Sequence, residues 1–481
     1  MKKYYICALL VAALVPTSCE LVDPTKVVNP NLTVGNVLAS ENPMENWLIG
    51  LERQLAVVYN NAIVNQEIVS DNYQNTRTFY NQNLDGVKLD FQDPQINLIQ
   101  FSIADLRESA QFGLTTVKAA DPATTPDQEA DLFFYKGWAE LLAGEIFVAL
   151  PAVPNGPAVS PTENINLAIA DFQQAVALTT NASAKAGYYL ALARAYYNLG
   201  DKTNARTSAQ SAIAADPAFT RFVRYDGVNA LANTMQAALF LRGTFDDLQP
   251  LPRLDFLDPK YSGPTNEQAP IYYQKIEEAH LILAEAALAD GALPDAKDAM
   301  KNAITAANTR PNSKKTFDDS VEDRPQPSPP AVAAGDRPDK ADILVAASAT
   351  DPLRPGLVLN RKAGNITVPI VSGTSLTAAA VDLLVDADQA LETLYLLRQE
   401  IFIAEGRRMI DLGIKFPVSE VEALSNSNIT EANKQGFAPA FIPTDMDAFA
   451  YDKAAKTVVI KHNMNKVLVA NKTSPNVLPF H

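Results

Sequence analysis

Apolar residues recur at helical spacing through most of this chain. Residues 45 to 70, ENWLIGLERQLAVVYNNAIVNQEIVS, predict one long helix. The strongest pattern is GYYLALARAYYNLGDKTNARTSAQSAIAADP, Gly187 to Pro217. Tyr189, Leu192, Ala193, Tyr196, Gly200, Ala205, Ala209, Ala212 and Pro217 fall at the spacings of a tetratricopeptide unit, which is about 34 residues of two antiparallel helices. Alanine lets the two helices approach closely, Gly200 permits the turn, and Pro217 stops the second helix. A second copy places Leu283, Ala284, Ala287, Gly291, Ala296, Met300 and Ala303 in the same register. A third puts Tyr135, Trp138, Ala139 and Leu142 on one helix and Ala168, Phe172 and Ala175 on the next, with LPAVPNGPAVSPTEN inserted between them. Helix pairs are therefore expected near 132–178, 187–217 and 276–308, followed by a late helix over 386–412 within the helical stretch Thr377 to Leu412. The tail has little helical periodicity, and TVVIKHN reads as a short strand. The expected fold is mainly α, a tetratricopeptide-like helical scaffold with long irregular loops.

The copies are not in tandem. About 60 residues, including DDLQPLPRLDFLDPKYSGPTNEQAP, separate the second pair from the third, where a solenoid would run on without a break. The Pro- and charge-rich Asn312 to Pro338 reads as a further surface excursion. Binding commonly resides on such loops when a rigid scaffold carries them.

The start of the chain adds a location. Lys2 and Lys3 precede ten unbroken apolar residues, Ile6 to Val15. That run is too short for a bilayer, which needs about 20 apolar residues, and has the length of a signal-peptide core. Cys19 follows Thr17 and Ser18, as in a bacterial lipoprotein signal. Cys7 and Cys19 are the only cysteines, so without lipid the mature chain would carry one unpaired thiol in an oxidising compartment. The expected organisation is a lipoprotein signal at 1–18, a tether at 19–36 and a single helical domain at 37–481. Loss of the signal removes two lysines and no acids, leaving 38 basic against 55 acidic residues, a net −17. So acidic a chain repels nucleic acid and anionic surfaces.

Catalytic signatures are absent from the sequence. The histidines are His280, His462 and His481, with no pair at metal-ligand spacing, and His280 occupies a packing position of a repeat. There is no G-x-S-x-G, phosphate loop or dinucleotide fingerprint. The acid pairs Asp246–Asp247 and Asp318–Asp319 read as solvated loop residues, and DGVKLDFQDP lacks the spacing of a helix-loop-helix calcium site. No cofactor or metal is expected. Ligand binding has a better candidate in SDNYQNTRTFYNQN, which sets Tyr73, Phe79 and Tyr80 among Asn72, Asn75, Arg77 and Asn81. Sugars offer C–H faces to aromatic rings and hydroxyls to amides and guanidinium groups. Trp47 and Trp138 lie on helices and read as core.

The lipoprotein signal, the N-terminal helix, the interrupted helix pairs and the late stretch LRQEIFIAEGRRMIDL together resemble the SusD/RagB family of surface nutrient-binding lipoproteins. Arg398, Glu405, Gly406, Arg408, Asp411 and Leu412 match its late pattern E-R-x-x-E-L-x-x-E-G-x-R-x-x-D-L, while Leu397 and Ile401 replace its first two glutamates, as in a divergent member. On a continuous helix Glu405 would meet Arg408, and Arg407 would meet Asp411, on the surface. The resemblance implies a non-enzymatic binder anchored to the outer membrane by lipid at Cys19 and exposed on the cell surface. It implies an oligosaccharide or other nutrient as ligand and a SusC-like, TonB-dependent β-barrel transporter as partner. It also implies that the loop after the first long helix, here carrying Asn72, Tyr73, Asn75, Arg77, Phe79 and Tyr80, lines the ligand site. The alternative is a tetratricopeptide adaptor of the cell envelope.

Overall fold

The computed structural model describes residues 34–75, 82–228, 231–241, 247–264, 266–311, 313–319, 337–361 and 364–481. Val34–Leu38 forms a short helix, so the last residues of the expected tether are helical. The long first helix is α1 (Pro43–Ile68), and Trp47 packs on its inner side against Phe112 at 5.1 Å between ring centroids. After it come β1 (Tyr73–Asn75), α2 (Pro94–Phe112), α3 (Pro126–Ile146), α4 (Pro161–Leu178), α5 (Ala182–Asn198) and α6 (Lys202–Ala215). Then follow β2 (Thr220–Val223), α7 (Thr234–Leu239), β3 (Leu248–Pro250), β4 (Ile271–Lys275), α8 (Glu277–Ala289) and α9 (Leu293–Thr309).

Local chemistry sets the helix starts. Thr125 and Ser160 each close a capping box, with Gln128 and Glu163, and each is followed by proline at the first helical position. The Asn181 and Asp201 side chains accept from backbone N–H groups of the first turns of α5 and α6. Gly200 turns the chain between those two helices at φ +72°, and a Cβ there would lie 2.9 Å from the Pro479 carbonyl oxygen.

The pairs α3–α4, α5–α6 and α8–α9 are the helical hairpins that the alanine pattern predicts. Ala168, Phe172, Ala175, Ala193, Ala205, Ala209, Ala212, Ala284, Ala296, Met300 and Ala303 are all fully buried. In space the helices stack continuously, α3 on α4, α4 on α5, α5 on α6, α6 on α8 and α8 on α9. The excursion between α6 and α8 therefore leaves the stack and returns to it without parting the hairpins. It pairs β2 with β4 and β3 with β1, both antiparallel. Leucine at Ala193 is expected to overpack the α5–α6 contact and cost about 1–3 kcal/mol. A denaturation midpoint equal to that of the parent chain would refute that packing.

The second half adds β5 (Lys314–Asp318), β6 (Leu344–Ala346), β7 (Asn365–Pro369), α10 (Ala387–Ile401), α11 (Arg408–Asp411), α12 (Glu420–Ser425), β8 (Phe449–Asp452), β9 (Thr457–Ile460) and α13 (Met464–Ala470). β5 pairs antiparallel with β7; β9 lies between antiparallel β8 and parallel β6. The strand expected in TVVIKHN is β9, whereas α13 is a helix that the tail's weak periodicity hides.

The late helix is broken. α10 ends at Ile401, the chain turns through 402–407, and α11 is only four residues long. Ala404 and Gly406 both have positive φ, +60° and +72°. At Gly406 a Cβ would stand 2.4 Å from the Gln66 side-chain oxygen, so another residue there would have to displace that side chain as well as hold a left-handed backbone.

Candidate functional site

α1 leads directly into the segment singled out for ligand binding, and the structure places its base in the core. Tyr73 is fully buried, and its hydroxyl lies 3.4 Å from Asp258 Oδ1. Asn72 donates to Glu67 Oε2 at 2.7 Å and accepts from Gln399 at 3.1 Å. Asn75 is buried, and its backbone N–H donates to Asp85 at 3.1 Å. Pairing of Tyr73 with Pro250 and Asn75 with Leu248 turns both side chains inward. The expectation of a stacking ring at Tyr73 therefore gives way to a packing role: its faces are covered, and the Asn72 amide is engaged inside. These three residues hold the root of the segment in place. Arg77, Phe79, Tyr80 and Asn81 lie outside the described residues, as do Cys19 and the signal.

Beneath this root runs a chain of buried charges built on the late motif. Arg408 grips Asp71 with Nε and Nη2 at 2.5 and 3.0 Å, and Gln399 donates to the same carboxylate at 2.9 Å. Arg398 meets Asp411 at 2.6 Å. In an unbroken helix those residues, 13 apart, would be separated by about 20 Å of axis, so the turn at 402–407 is what joins them. Glu405 takes Lys275 at 2.7 Å and also Lys260, while Arg407 meets Glu278 at 2.5 Å. The expected surface pairs Glu405–Arg408 and Arg407–Asp411 do not form; every member is buried and finds a distant partner. The motif docks the late turn onto α1, α8 and the excursion.

Burial governs the electrostatics here. Desolvation raises the Glu67 carboxyl to about 7, against hydrogen bonds from Asn72 and the Gly406 N–H. Desolvation lowers Lys275 to about 8; Glu405 opposes that shift, and the neighbouring Lys260 adds to it. A second buried cluster joins Arg361 to Asp255 at 3.0 Å, Asp258 at 3.1 Å and Asp319, with Arg337 on Asp255 at 3.0 Å. Asp319 is thus a buried partner and not the solvated loop acid expected from the sequence, and Asp246 lies outside the described residues. Trp138 is fully buried and His280 half-buried. Among the described residues no group of three His, Cys, Asp or Glu side chains could hold a metal ion. The arrangement is chemically one of charge compensation, which fixes loops on a scaffold.

Sequence reasoning missed Lys260, Lys275, Glu278 and Asp71. A signal existed for two of them: Lys275 ends the apolar strand IYYQK, and Glu278 sits at the head of the apolar helix EEAHLILAEAALA. Charges in such surroundings need partners.

No protein-family model matches this chain, and no curated protein does. Solved structures do. A SusD superfamily protein from Bacteroides fragilis, 14% identical, aligns over 82% of this chain and 100% of its own with a TM-score of 0.50. One from Bacteroides thetaiotaomicron, 12% identical, aligns over 81% and 98% with a TM-score of 0.49. A SusD-like carbohydrate binding protein from Bacteroides vulgatus, 12% identical, aligns over 79% and 83% with a TM-score of 0.45. The first of these likenesses carries the conclusion: the fold is SusD-like.

Proposed function

We propose that this protein binds a nutrient, a glycan or oligosaccharide, at the cell surface and delivers it to a TonB-dependent β-barrel transporter of the outer membrane. The observation that carries this reading is the SusD-like fold, which extends over 82% of the chain. The segment after α1 supports it. Its root is locked by the β1–β3 pairing and by Asp71–Arg408, and the residues that follow, Arg77, Phe79 and Tyr80, offer a guanidinium group and two rings. No described helix is long and apolar enough to cross a membrane; in this reading the lipid at Cys19 supplies attachment and the barrel supplies the channel. A partner face is also available: α2 exposes Leu98 and Phe101, and α12, packed on α2, exposes Val421 and Leu424.

The binding test is a screen of oligosaccharides against the purified protein. Replacing Phe79 and Tyr80 together by alanine is expected to weaken the best ligand by about 1–3 kcal/mol per ring, by analogy with other stacking platforms. Bound oligosaccharide is expected to be recovered intact; cleavage would overturn the non-enzymatic reading, and an unchanged affinity would remove these rings from the site.

The adaptor reading has one observation in its favour, the continuous stack from α3 to α9. Against it, Phe219 and Gln274 of the excursion cover α5 at Gly187, where Gln274 donates to the backbone carbonyl at 2.8 Å. A tagged chain extracted from outer membranes separates the two. Near-equal recovery of a large β-barrel protein fits delivery, and recovery of soluble envelope proteins alone fits the adaptor. Cys19→Ala is expected to release the chain from membranes; a variant that stays with the outer membrane after washing would refute the anchor.

A further inference from the structure

A cavity of about 460 Å³ opens between the turn Pro252–Leu257, the loop after β6 and the outer side of α10. That volume suits a single small molecule, such as a monosaccharide or an amino acid. Its walls include Leu357, Leu376 and Leu396, and five charged groups face it: Arg253, Arg354, Asp351, Glu392 and Glu400.

The three acids are already served. Glu400 accepts from Thr374 Oγ1 at 2.6 Å and from the Ser375 N–H and hydroxyl at 2.9 and 2.6 Å. Asp351 accepts from Ser348 at 2.6 Å, from Asn463 at 3.2 Å and from Lys466. Glu392 accepts from Asn463 at 2.9 Å. The two arginines are not. Arg253 is 9% exposed, yet among the described residues its side chain makes one hydrogen bond, a long contact of 3.5 Å from Nη1 to Asn463 Oδ1. It forms no ion pair among the described residues, whereas buried Arg361, Arg398 and Arg408 each hold a carboxylate. Arg354 is exposed and, among the described residues, is fixed only through its backbone, which bridges Val345 at 2.9 Å in both directions. A guanidinium carries five donors, and burying one without a matching anion is costly. Desolvation holds Arg253 below its ordinary range, against the charges of Glu400, Asp71 and Glu392, none of which pairs with it directly.

We infer that this cavity is a binding site for the carboxylate of a small ligand, gripped by Arg253 with exposed Arg354 as a second cation. A carboxylate matches the planar fork of a guanidinium in two parallel hydrogen bonds. A monoanion fits better than a phosphate or sulfate dianion, because Asp351, Glu392 and Glu400 already add negative potential around the opening. The apolar side chains and the polar Gln389 and Thr393 would meet the body of the ligand. None of the described residues of the segment after α1 lines this cavity, and the carboxylate test is distinct from that of the glycan reading.

The carboxylate could belong to a uronic acid or to an amino acid. Calorimetric titration of the full chain with galacturonate, N-acetylalanine and galactose distinguishes these. Galacturonate alone binding identifies an acidic sugar; N-acetylalanine alone, an amino-acid carboxylate; both together, recognition of the carboxylate itself. If neither acid binds more tightly than galactose, the inference is wrong. Arg253→Gln is expected to weaken the bound acid about 10- to 100-fold, and unchanged affinity in a variant that melts like the parent would overturn the assignment. Arg354→Gln alters only an exposed side chain and is expected to weaken the acid about two- to fivefold. It serves as the test should Arg253→Gln lose its fold, and unchanged affinity there would then overturn the inference.

Discussion

Replacing Glu405 by alanine is expected to cost about 3–5 kcal/mol of stability, the usual result when one partner of a buried ion pair is removed. The loss should sit at the upper end, because Glu405 compensates two ammonium groups, Lys260 and Lys275, both almost fully buried. Lys260 keeps one carbonyl acceptor, Ile403 at 3.1 Å, and Lys275 keeps two, Ile401 at 2.6 Å and Val371 at 3.1 Å. Carbonyl dipoles do not replace a charge in a low-dielectric interior. The neighbouring turn is also strained at Ala404, a non-glycine residue with φ +60°, and relies on these contacts to persist. Adding Lys260→Met to the alanine variant is expected to restore part of the loss, since it removes one orphaned charge. Chemical denaturation of parent, single and double variants measures this. A single variant as stable as the parent would show that Glu405 is dispensable, and a double variant no better than the single would place the cost elsewhere.

The contrast between what the sequence makes visible and what it hides follows from range. The hairpin α5–α6 is legible because its information is local: alanines at close-contact positions, Gly200 at the turn and Asp201 as cap all lie within one repeat. The late motif is equally conspicuous as a string of charges, but its partners are not local. Arg408 and Asp71 are 337 residues apart, and Arg407 and Glu278 are 129 apart. Helical spacing favours neighbours three and four residues away, and the break at Ala404–Gly406 defeats it. Tyr73 misleads for a related reason. Aromatic and amide residues in a loop-like segment suggest a sugar platform, yet three residues of pairing with Leu248–Pro250 suffice to turn the ring inward. The cavity beside α10 is beyond sequence reading altogether, since Arg253, Arg354, Glu392 and Asn463 come from four separate stretches.

The protein is expected to be more stable near pH 5.5 than near pH 8, a direction that the fall in net negative charge toward the pI of about 4.8 reinforces. Several buried carboxyls set the direction, Glu140 among them, raised by burial to about 8, while the lowered imidazoles of His280 and His481 oppose it. Burial raises Glu67 to about 7, and burial, followed by the nearby Asp85 carboxylate, raises Asp447 to about 7. Asp447 is the clearer case, because its Oδ2 is buried without a hydrogen-bond partner. Between roughly pH 4 and 7 the folded state retains protons that the unfolded chain releases, so stability falls as pH rises through this window. At about 1.4 kcal/mol per unit the effect between pH 5.5 and 8 is of the order of 2 kcal/mol for each group. Lysines mirror this on the alkaline side. Burial pulls Lys275 and Lys415 to about 8, so above that value the folded state has shed protons the unfolded chain keeps, and stability recovers. Below about pH 4 the trend reverses again: burial pushes Glu277 and Glu278 up, Arg310 and Arg407 more than offset it, and those pairs are lost on protonation. Asp447→Asn removes one buried charge while keeping the shape. It is expected to raise the melting temperature at pH 8 and to flatten the rise toward pH 5.5, while leaving the alkaline recovery intact. Melting curves of both proteins across this range decide the matter: a parent curve that is flat or falling from pH 8 to 5.5, or an asparagine variant that melts lower at pH 8, would mean that Asp447 finds compensation this geometry does not contain.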